Sequence, residues 1–346
     1  APSEILTKEE INKAIQSLVG RNVFIEDIQK AIDNINNLYA EKGFVTARAF
    51  LPEQTVENGH IYIALTESKI GNITVEQNKW TKDGYITRRL PEKEGQLFDI
   101  VELEKDVLDF NRYNEGVKLS ANLKAGQKPG TTDIELVADE NFPFHVMGIM
   151  DNAGRYNTGS IRGGAMLYAD SLFGHRDRMS LGSYFSKGAQ SPFADYNFPV
   201  NKKDGRVGFM YSSTFANIKY KDWGLGSNAY QYSLYYSQPI VRKPGFELKT
   251  YAAANYKRAR TFSDLIMPGY GDVLKSVDNV TSLELALQMR KDTKRGIWYF
   301  NQDAYYSIPI FNSTRDNNYF KYSGSLVRLH DFSHGFIGQL RLNYQI

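Results

Sequence analysis

The spacing of apolar residues changes once along the chain, near Phe142. Before it, Leu6, Ile11, Ala14, Ile15 and Leu18 recur at helical intervals, and Gly20 stops the run. Thr7 stands at the N-cap with Glu10 three residues on, the residue pair of a capping box. A second helix is predicted over residues 25–42, with Ile28, Ala31, Ile32, Ile35, Leu38 and Tyr39 on one face and Gly43 as a left-handed cap. Residues 44–51 and 60–67 read as strands joined by a turn around Pro52 and Asn58-Gly59. The order then recurs behind a leading strand at 70–75, with helices at 85–90 and 99–111. Strands at 117–123 and 132–138 follow, turned through Gly126 and Pro129-Gly130. A βααββ unit is thus predicted twice within about 140 residues.

Beyond Phe142 the period is two. Leu283, Leu285, Leu287 and Met289 alternate with Ser282, Glu284, Gln288 and Arg290; Phe336, Leu340, Leu342, Tyr344 and Ile346 alternate with Gln339, Arg341, Asn343 and Gln345. Phe246 and Leu248 stand against Glu247 and Lys249 in the same way. A soluble sandwich also alternates, but these segments run about 10 to 15 residues, long enough to cross a bilayer at a tilt. Tyr184-Phe185, Tyr235-Tyr236, Trp298-Tyr299-Phe300 and Tyr305-Tyr306 are expected at strand ends, where interfacial girdles lie. An antiparallel transmembrane β-barrel of about eleven strands over residues 142–346 is the reading, with Glu247, Lys249, Glu284, Gln288, Arg290, Gln339 and Arg341 facing its lumen.

Composition narrows the functional classes. With 42 Lys and Arg against 39 Asp and Glu over 346 residues, the net charge of +3 is no electrostatic footprint for nucleic acid. No cysteine means no disulfide, thiolate metal site or thiol nucleophile. No run of about 18 apolar residues exists, which excludes a bundle of transmembrane helices. Residues 1–10 lack the basic and apolar regions of a signal peptide, so a mature chain or a fragment is expected.

Three motifs invite chemistry and fail on context. The segment 154–160 has P-loop-like glycines but no Lys, and precedes a strand. His330 and His334 have the spacing of a helical zinc pair but flank a strand-to-strand turn. His175-Arg176-Asp177 has no nucleophile elbow to serve. No catalytic residue, metal or cofactor is predicted.

One ordered set of motifs is more specific. Tyr39, Gly43, Phe44, Pro52 and Gln54, then Arg89-Leu90-Pro91, Phe110-Asn111-Arg112 and the 129–133 turn, then Asp151-Asn152-Ala153-Gly154 with Thr158-Gly159, resemble the two-partner-secretion outer-membrane transporters, the hemolysin secretion/activation family. The resemblance implies two α+β POTRA domains, residues 1–68 (lacking the usual first strand) and 69–141. A sixteen-stranded barrel would follow, of which residues 142–346 carry the N-terminal part. The family's plug helix and VRGY-type loop are not found, so the chain is expected to be truncated.

What the resemblance further implies is a monomeric outer-membrane transporter among outer-membrane lipids. Its periplasmic POTRA domains would bind a large β-helical exoprotein through an N-terminal secretion domain. In the family's topology the second strand of each POTRA sheet is an open edge beside the second helix, suited to strand addition. The partner-binding residues expected are Ile28, Ile32, Ile35, Phe44, Ala47, Ala49 and Leu51 in the first domain and Leu103, Val107, Phe110, Val117, Ala121 and Leu123 in the second. An insertase that folds other barrels is the alternative within the superfamily; a passive porin or an outer-membrane enzyme is the alternative outside it.

Overall fold

A computed structural model describes residues 3–56, 59–220, 223–263, 275–311, 319–332 and 334–346. Its contacts divide the chain into two units, Ala1–Asn111 with Val117–Glu140, and Arg112–Gly116 with Asn141–Ile346.

In the first unit, α1 (Lys8–Ile15) starts at Thr7, whose side chain accepts from the Glu10 N–H while Glu10 accepts from the Thr7 N–H, the predicted capping box. Lys42 adds an ion pair to Glu10 at 2.8 Å and, with the Thr7 N–H, holds that exposed carboxyl down at about 2. Helix α2 (Ile25–Glu41) ends as expected at Gly43, with φ +88° and the Phe44 N–H bonded to the Tyr39 carbonyl. The strands that follow are shorter than predicted: β1 (Arg48–Phe50) pairs with β2 (Ala64–Thr66). Phe44 and Ala47 lie in a turn closed by the Ala47 N–H on the Phe44 carbonyl, so neither belongs to the strand. Of the predicted Asn58-Gly59 turn, Asn58 lies outside the described residues.

The remainder of this unit follows the predicted order: β3 (Lys69–Glu76), α3 (Asp83–Thr87), α4 (Ile100–Tyr113), β4 (Val117–Ala125) and β5 (Thr131–Glu140). The sheet order is β3-β5-β4, with β3 parallel and β4 antiparallel to β5. Helix α2 buries Ile28, Ile32, Ile35 and Tyr39 in one core, and α4 buries Leu103 and Phe110 in another, against Val117 of β4 and Leu136 of β5. Glu67, which sequence reading passed over, ties the first core together. It accepts from the Ser3 hydroxyl, the Glu4 N–H at 2.7 Å and Tyr39 Oη at 2.9 Å. Burial raises Tyr39 to about 12.

The second unit is one antiparallel sheet of eleven strands, the expected number, in unbroken sequence order: β6 (Phe144–Asp151), β7 (Arg162–Ala169), β8 (Arg178–Ser186), β9 (Ala189–Pro199), β10 (Arg206–Tyr220), β11 (Trp223–Lys243), β12 (Phe246–Ser263), β13 (Ser276–Thr293), β14 (Gly296–Ile308), β15 (Phe320–Asp331) and β16 (Ile337–Gln345). Strands β6 and β16 are not paired with each other. Among the described residues no helix is long and apolar enough to cross a membrane. Tyr235 and Tyr236 lie well inside β11, not at its end as predicted. Tyr235 stands directly opposite Gly208, where a Cβ would come within 2.4 Å of its ring, and its hydroxyl reaches Asp195 at 2.8 Å. The bare glycine is what lets the aromatic cross the neighbouring strand and cover it.

Two of the three motifs with apparent chemistry lie in turns, and the third spans the end of β15. Asp177 accepts from the backbone N–H of Phe173 and His175, so it caps the β7–β8 turn. Gly154 closes the 154–160 loop through its N–H on the Ser160 carbonyl, and His330 Nδ1 faces the Arg328 guanidinium at 3.0 Å from within β15.

Glu92 carries a testable consequence. Burial, then the nearby Asp106 and Glu102, push its carboxyl up from 4.5 to about 7. A carboxyl raised by folding contributes fully below the unfolded value near 4.5 and loses that contribution as pH rises through 7. Glu92→Gln should therefore stabilise the first unit at pH 8 by roughly 1 kcal/mol, after discounting for partial exposure, and change little at pH 5. Urea denaturation of the detergent-solubilised protein at the two pH values measures it; equal stability at pH 8 contradicts it.

Candidate functional site

Strand register decides which side chains share a face of the large sheet, because successive residues alternate sides. Glu247 pairs with Arg290 and Lys249 with Gln288; Gln288 in turn faces Asn301 and Arg290 faces Tyr299. Val327 carries the row on to Arg341, and Leu329 to Gln339. Glu284 shares parity with Gln288, so all seven residues expected on the lumen side fall on one face. The other face carries Leu234, Leu283, Leu285, Leu287, Leu340 and Leu342.

Exposure separates the faces in the unusual sense. Leu234 and Leu285 are 61% and 65% exposed, whereas Ser233, Asn255 and Ser282 on the polar face are 1% exposed. Polar side chains on that face converge and cover one another, and the leucines splay outward. Such a sheet is polar within and apolar without, the reverse of a soluble core and the arrangement a bilayer requires.

Convergence makes a hydrogen-bonded ladder across four strands. Gln231 on β11 donates to Ser233 at 3.0 Å, Ser233 bonds Asn255 on β12 at 2.5 Å, and Asn255 donates to Glu284 on β13 at 2.8 Å. Tyr305 on β14 completes it, donating to Glu284 at 3.0 Å. Lys257 and Lys321 lie over the Tyr305 ring at 5.8 and 4.8 Å. Nearer the turns, Arg242 holds Glu247 at 2.6 Å and Asp204 at 3.4 Å, while Arg206 holds Asp204 at 2.7 Å. Glu247 and Glu284 are thus both partnered. Asn255 and Tyr305, which the sequence reading did not select, have the parity of the residues it did select; parity alone could have found them.

The edges of the smaller sheets are the second candidate. Among the described residues strand β4 pairs only with β5, leaving its far side open, as expected. The helix residues expected to line a groove beside these edges do not. Ile28, Ile32, Ile35, Leu103, Phe110 and Val117 are buried in the cores, Val107 packs partly against one, and Ala47 and Ala49 have buried side chains. Packed there, they hold helix and strand together. Leu123 is exposed and Ala121 half-buried.

Both edges already hold a side-chain partner at one residue. Asn36 on α2 accepts from the Ala49 N–H at 2.7 Å and donates to the Ala49 carbonyl at 3.3 Å. Asn111 on α4 does the same to Leu119, at 2.7 and 2.8 Å. In each repeat a carboxamide supplies the donor and acceptor that a neighbouring strand would supply. Because every second residue of a strand points the same way, the bond at Leu119 also sets Ala121 and Leu123 toward the open side, beyond the clasp.

Comparisons with known proteins bear on both sites. Residues 1–68 match the family model described as POTRA domain, ShlB-type, and residues 130–346, more than half of the chain, match that described as haemolysin secretion/activation protein ShlB/FhaC/HecB. The heme/hemopexin transporter protein HuxB of Haemophilus influenzae is 26% identical over 273 residues, covering 73% of this chain and 46% of that protein. The chain therefore spans about half the length of the curated relatives it matches. Among solved structures, CdiB from Escherichia coli aligns with a TM-score of 0.58 at 19% identity, over 100% of this chain and 66% of CdiB. BamA from Haemophilus ducreyi lacking POTRA domains 1–3 aligns at 0.57 and 14%, over 100% of this chain and 70% of BamA. These likenesses establish the fold, a POTRA domain with strands of a barrel sheet.

Removing the clasp should show at one amide. Asn111→Ala leaves the Leu119 N–H and carbonyl without their side-chain partners, which costs about 1–2 kcal/mol. Hydrogen exchange at Leu119 should accelerate at least tenfold while the β5 amides keep their protection. Unchanged exchange at Leu119 would show that the carboxamide does not hold the edge.

Proposed function

This chain belongs to the ShlB/FhaC/HecB family of haemolysin secretion/activation proteins, and from that premise we propose that it forms part of an outer-membrane pore that exports a large partner exoprotein unfolded from periplasm to cell surface. Residues 1–68 and 69–141 are two periplasmic POTRA domains in this reading, and residues 142–346 belong to a transmembrane barrel. The pore works as a monomer, and its cargo is an exoprotein that folds as a β-helix once outside.

The observation that carries the proposal is the polar face, hydrogen-bonded across four strands and opposed to an exposed apolar face. An unfolded chain moving through hydrocarbon would leave its amides without partners. Along a wall of Ser, Asn, Gln, Tyr and paired charges, amides and carbonyls exchange one hydrogen bond for another at little cost. Folding of the cargo outside supplies direction without ATP.

Capture uses the open edge of β4. An extended segment of the cargo adds beside residues 121–125, gaining backbone hydrogen bonds that read little of its sequence. Leu51, Ala121 and Leu123 are the edge positions assigned to this contact; Ala49, whose N–H and carbonyl are held by Asn36, and Phe44 and Ala47, in their turn, are not.

Deleting the gene and measuring medium, cell surface and outer membrane separately by mass spectrometry should show loss of one large exoprotein with other barrels unchanged. A general fall in barrels would make the chain an assembly factor instead. Ala121→Pro removes the donor at the edge without disturbing the β5 ladder and should cut export about tenfold at normal transporter level. Full export by that variant overturns the strand-addition step.

A further inference from the structure

The outward, apolar face of the large sheet changes character at one end of the β13–β14 hairpin. In register across β12 to β15 stand Phe246, Lys291, Trp298 and Arg328. Two residues further along the strands the matching row is Leu248, Met289, Phe300 and Leu326, wholly apolar. Uncharged side chains, Thr250 and then Ala252 and Ala254, continue from there to Tyr256 on β12, eight residues beyond Leu248. That is ~27 Å of strand, or ~20 Å of depth at a tilt of ~40°. The cationic row lies one step outside this band.

The turn adds two more cations, Lys294 and Arg295. Arg328 bends back toward them: its Nη1 donates to Thr293 Oγ1 at 3.0 Å and its Nη2 to the Arg295 carbonyl at 3.2 Å. Its guanidinium also sits 5.0 Å from the Trp298 ring. A side chain rooted near the apolar band thereby carries its charge to the level of the turn. Four cationic residues thus fall at this turn and in the row of Trp298 next to it.

Asp292, the one acidic residue between Gln288 and Phe300, lies on the polar face and is tied to Arg290 at 2.9 Å. Among the described residues no carboxylate lies within ion-pair distance of Lys291, Lys294, Arg295 or Arg328. Lys291, Lys294 and Arg295 are exposed. Since β6 begins at Phe144 and strands alternate in direction, this turn lies at the end of the sheet where the chain enters it.

We propose that Lys291, Lys294, Arg295 and Arg328, with Trp298, form a binding site for the phosphate headgroup of an anionic glycerophospholipid in the leaflet at that end of the sheet. The acyl chains lie along the Leu248, Met289, Phe300 and Leu326 row. Indole at the interface and cations at phosphate depth are what such a lipid requires. A zwitterionic lipid gains less, because its own ammonium meets the same cations. The inference rests on the membrane placement proposed above.

The test uses the full protein purified from its own membrane and reconstituted in phosphatidylcholine vesicles. Electron spin resonance compares spin-labelled phosphatidylglycerol with spin-labelled phosphatidylcholine. Wild type should favour phosphatidylglycerol about fivefold at low salt, falling below about twofold in 1 M NaCl. Lys291→Gln/Lys294→Gln/Arg295→Gln, which leaves the Arg328 clasp on the turn, should lose the preference and keep the heat-modifiable mobility of a folded barrel. Equal preference in wild type and variant, or none in wild type, overturns the site. So does cross-linking from these lysines in native membranes that goes to an acidic protein in place of lipid. Failure of the wild type to insert overturns both this inference and the export reading; insertion without selectivity overturns this inference alone.

Discussion

A backbone amide without a partner costs several kcal/mol in hydrocarbon, and the second unit answers that constraint before any other. Each of its eleven strands pairs with the next in sequence order, so interior strands have both edges satisfied by neighbours. Once the ladder is set, period two does the rest: a residue's parity determines whether it meets lipid or water. The Ser233–Asn255–Glu284–Tyr305 ladder and the exposed leucines opposite it are two consequences of one register.

The first unit treats the same constraint differently. Its small sheets have open edges in water, where an unpaired strand invites another. Asn36 and Asn111 occupy one residue of each edge, Ala49 and Leu119, with a carboxamide and leave the residues beyond it available. An edge held this way resists indiscriminate pairing and still offers Ala121 and Leu123 to an extended chain. The function proposed above joins the two features: strand addition at a guarded edge, then passage along a polar wall.

Much of this was legible in the sequence because it depends on local pattern. The Thr7–Glu10 capping box, the Gly43 cap and the alternation from Ser282 to Arg290 are each decided by residues a few positions apart. Phe44 and Ala47 were misplaced because a β-prone run was broken by a turn that only the helix end imposes. The helix residues beside the edges carry a related ambiguity. An apolar helix stripe looks the same whether it faces a core or a partner, and Ile35 and Leu103 face cores. Tyr235 was expected at an interface, but Gly208 opposite gives it room inside the sheet. The asparagine clasps link residues 13 and 8 positions apart through tertiary packing, and no periodicity announces them.

The central claim is that β13 presents alternate residues to water and to lipid. A chain without native cysteine permits a direct reading: single cysteines placed in turn from Leu283 to Met289, each exposed to a membrane-impermeant maleimide in intact outer membranes. Glu284→Cys, Ala286→Cys and Gln288→Cys should label at least tenfold faster than Leu283→Cys, Leu285→Cys and Leu287→Cys, since thiols in hydrocarbon neither ionise nor meet the reagent. Uniform labelling along the strand, or faster labelling at the leucine positions, would contradict the register on which the whole account stands.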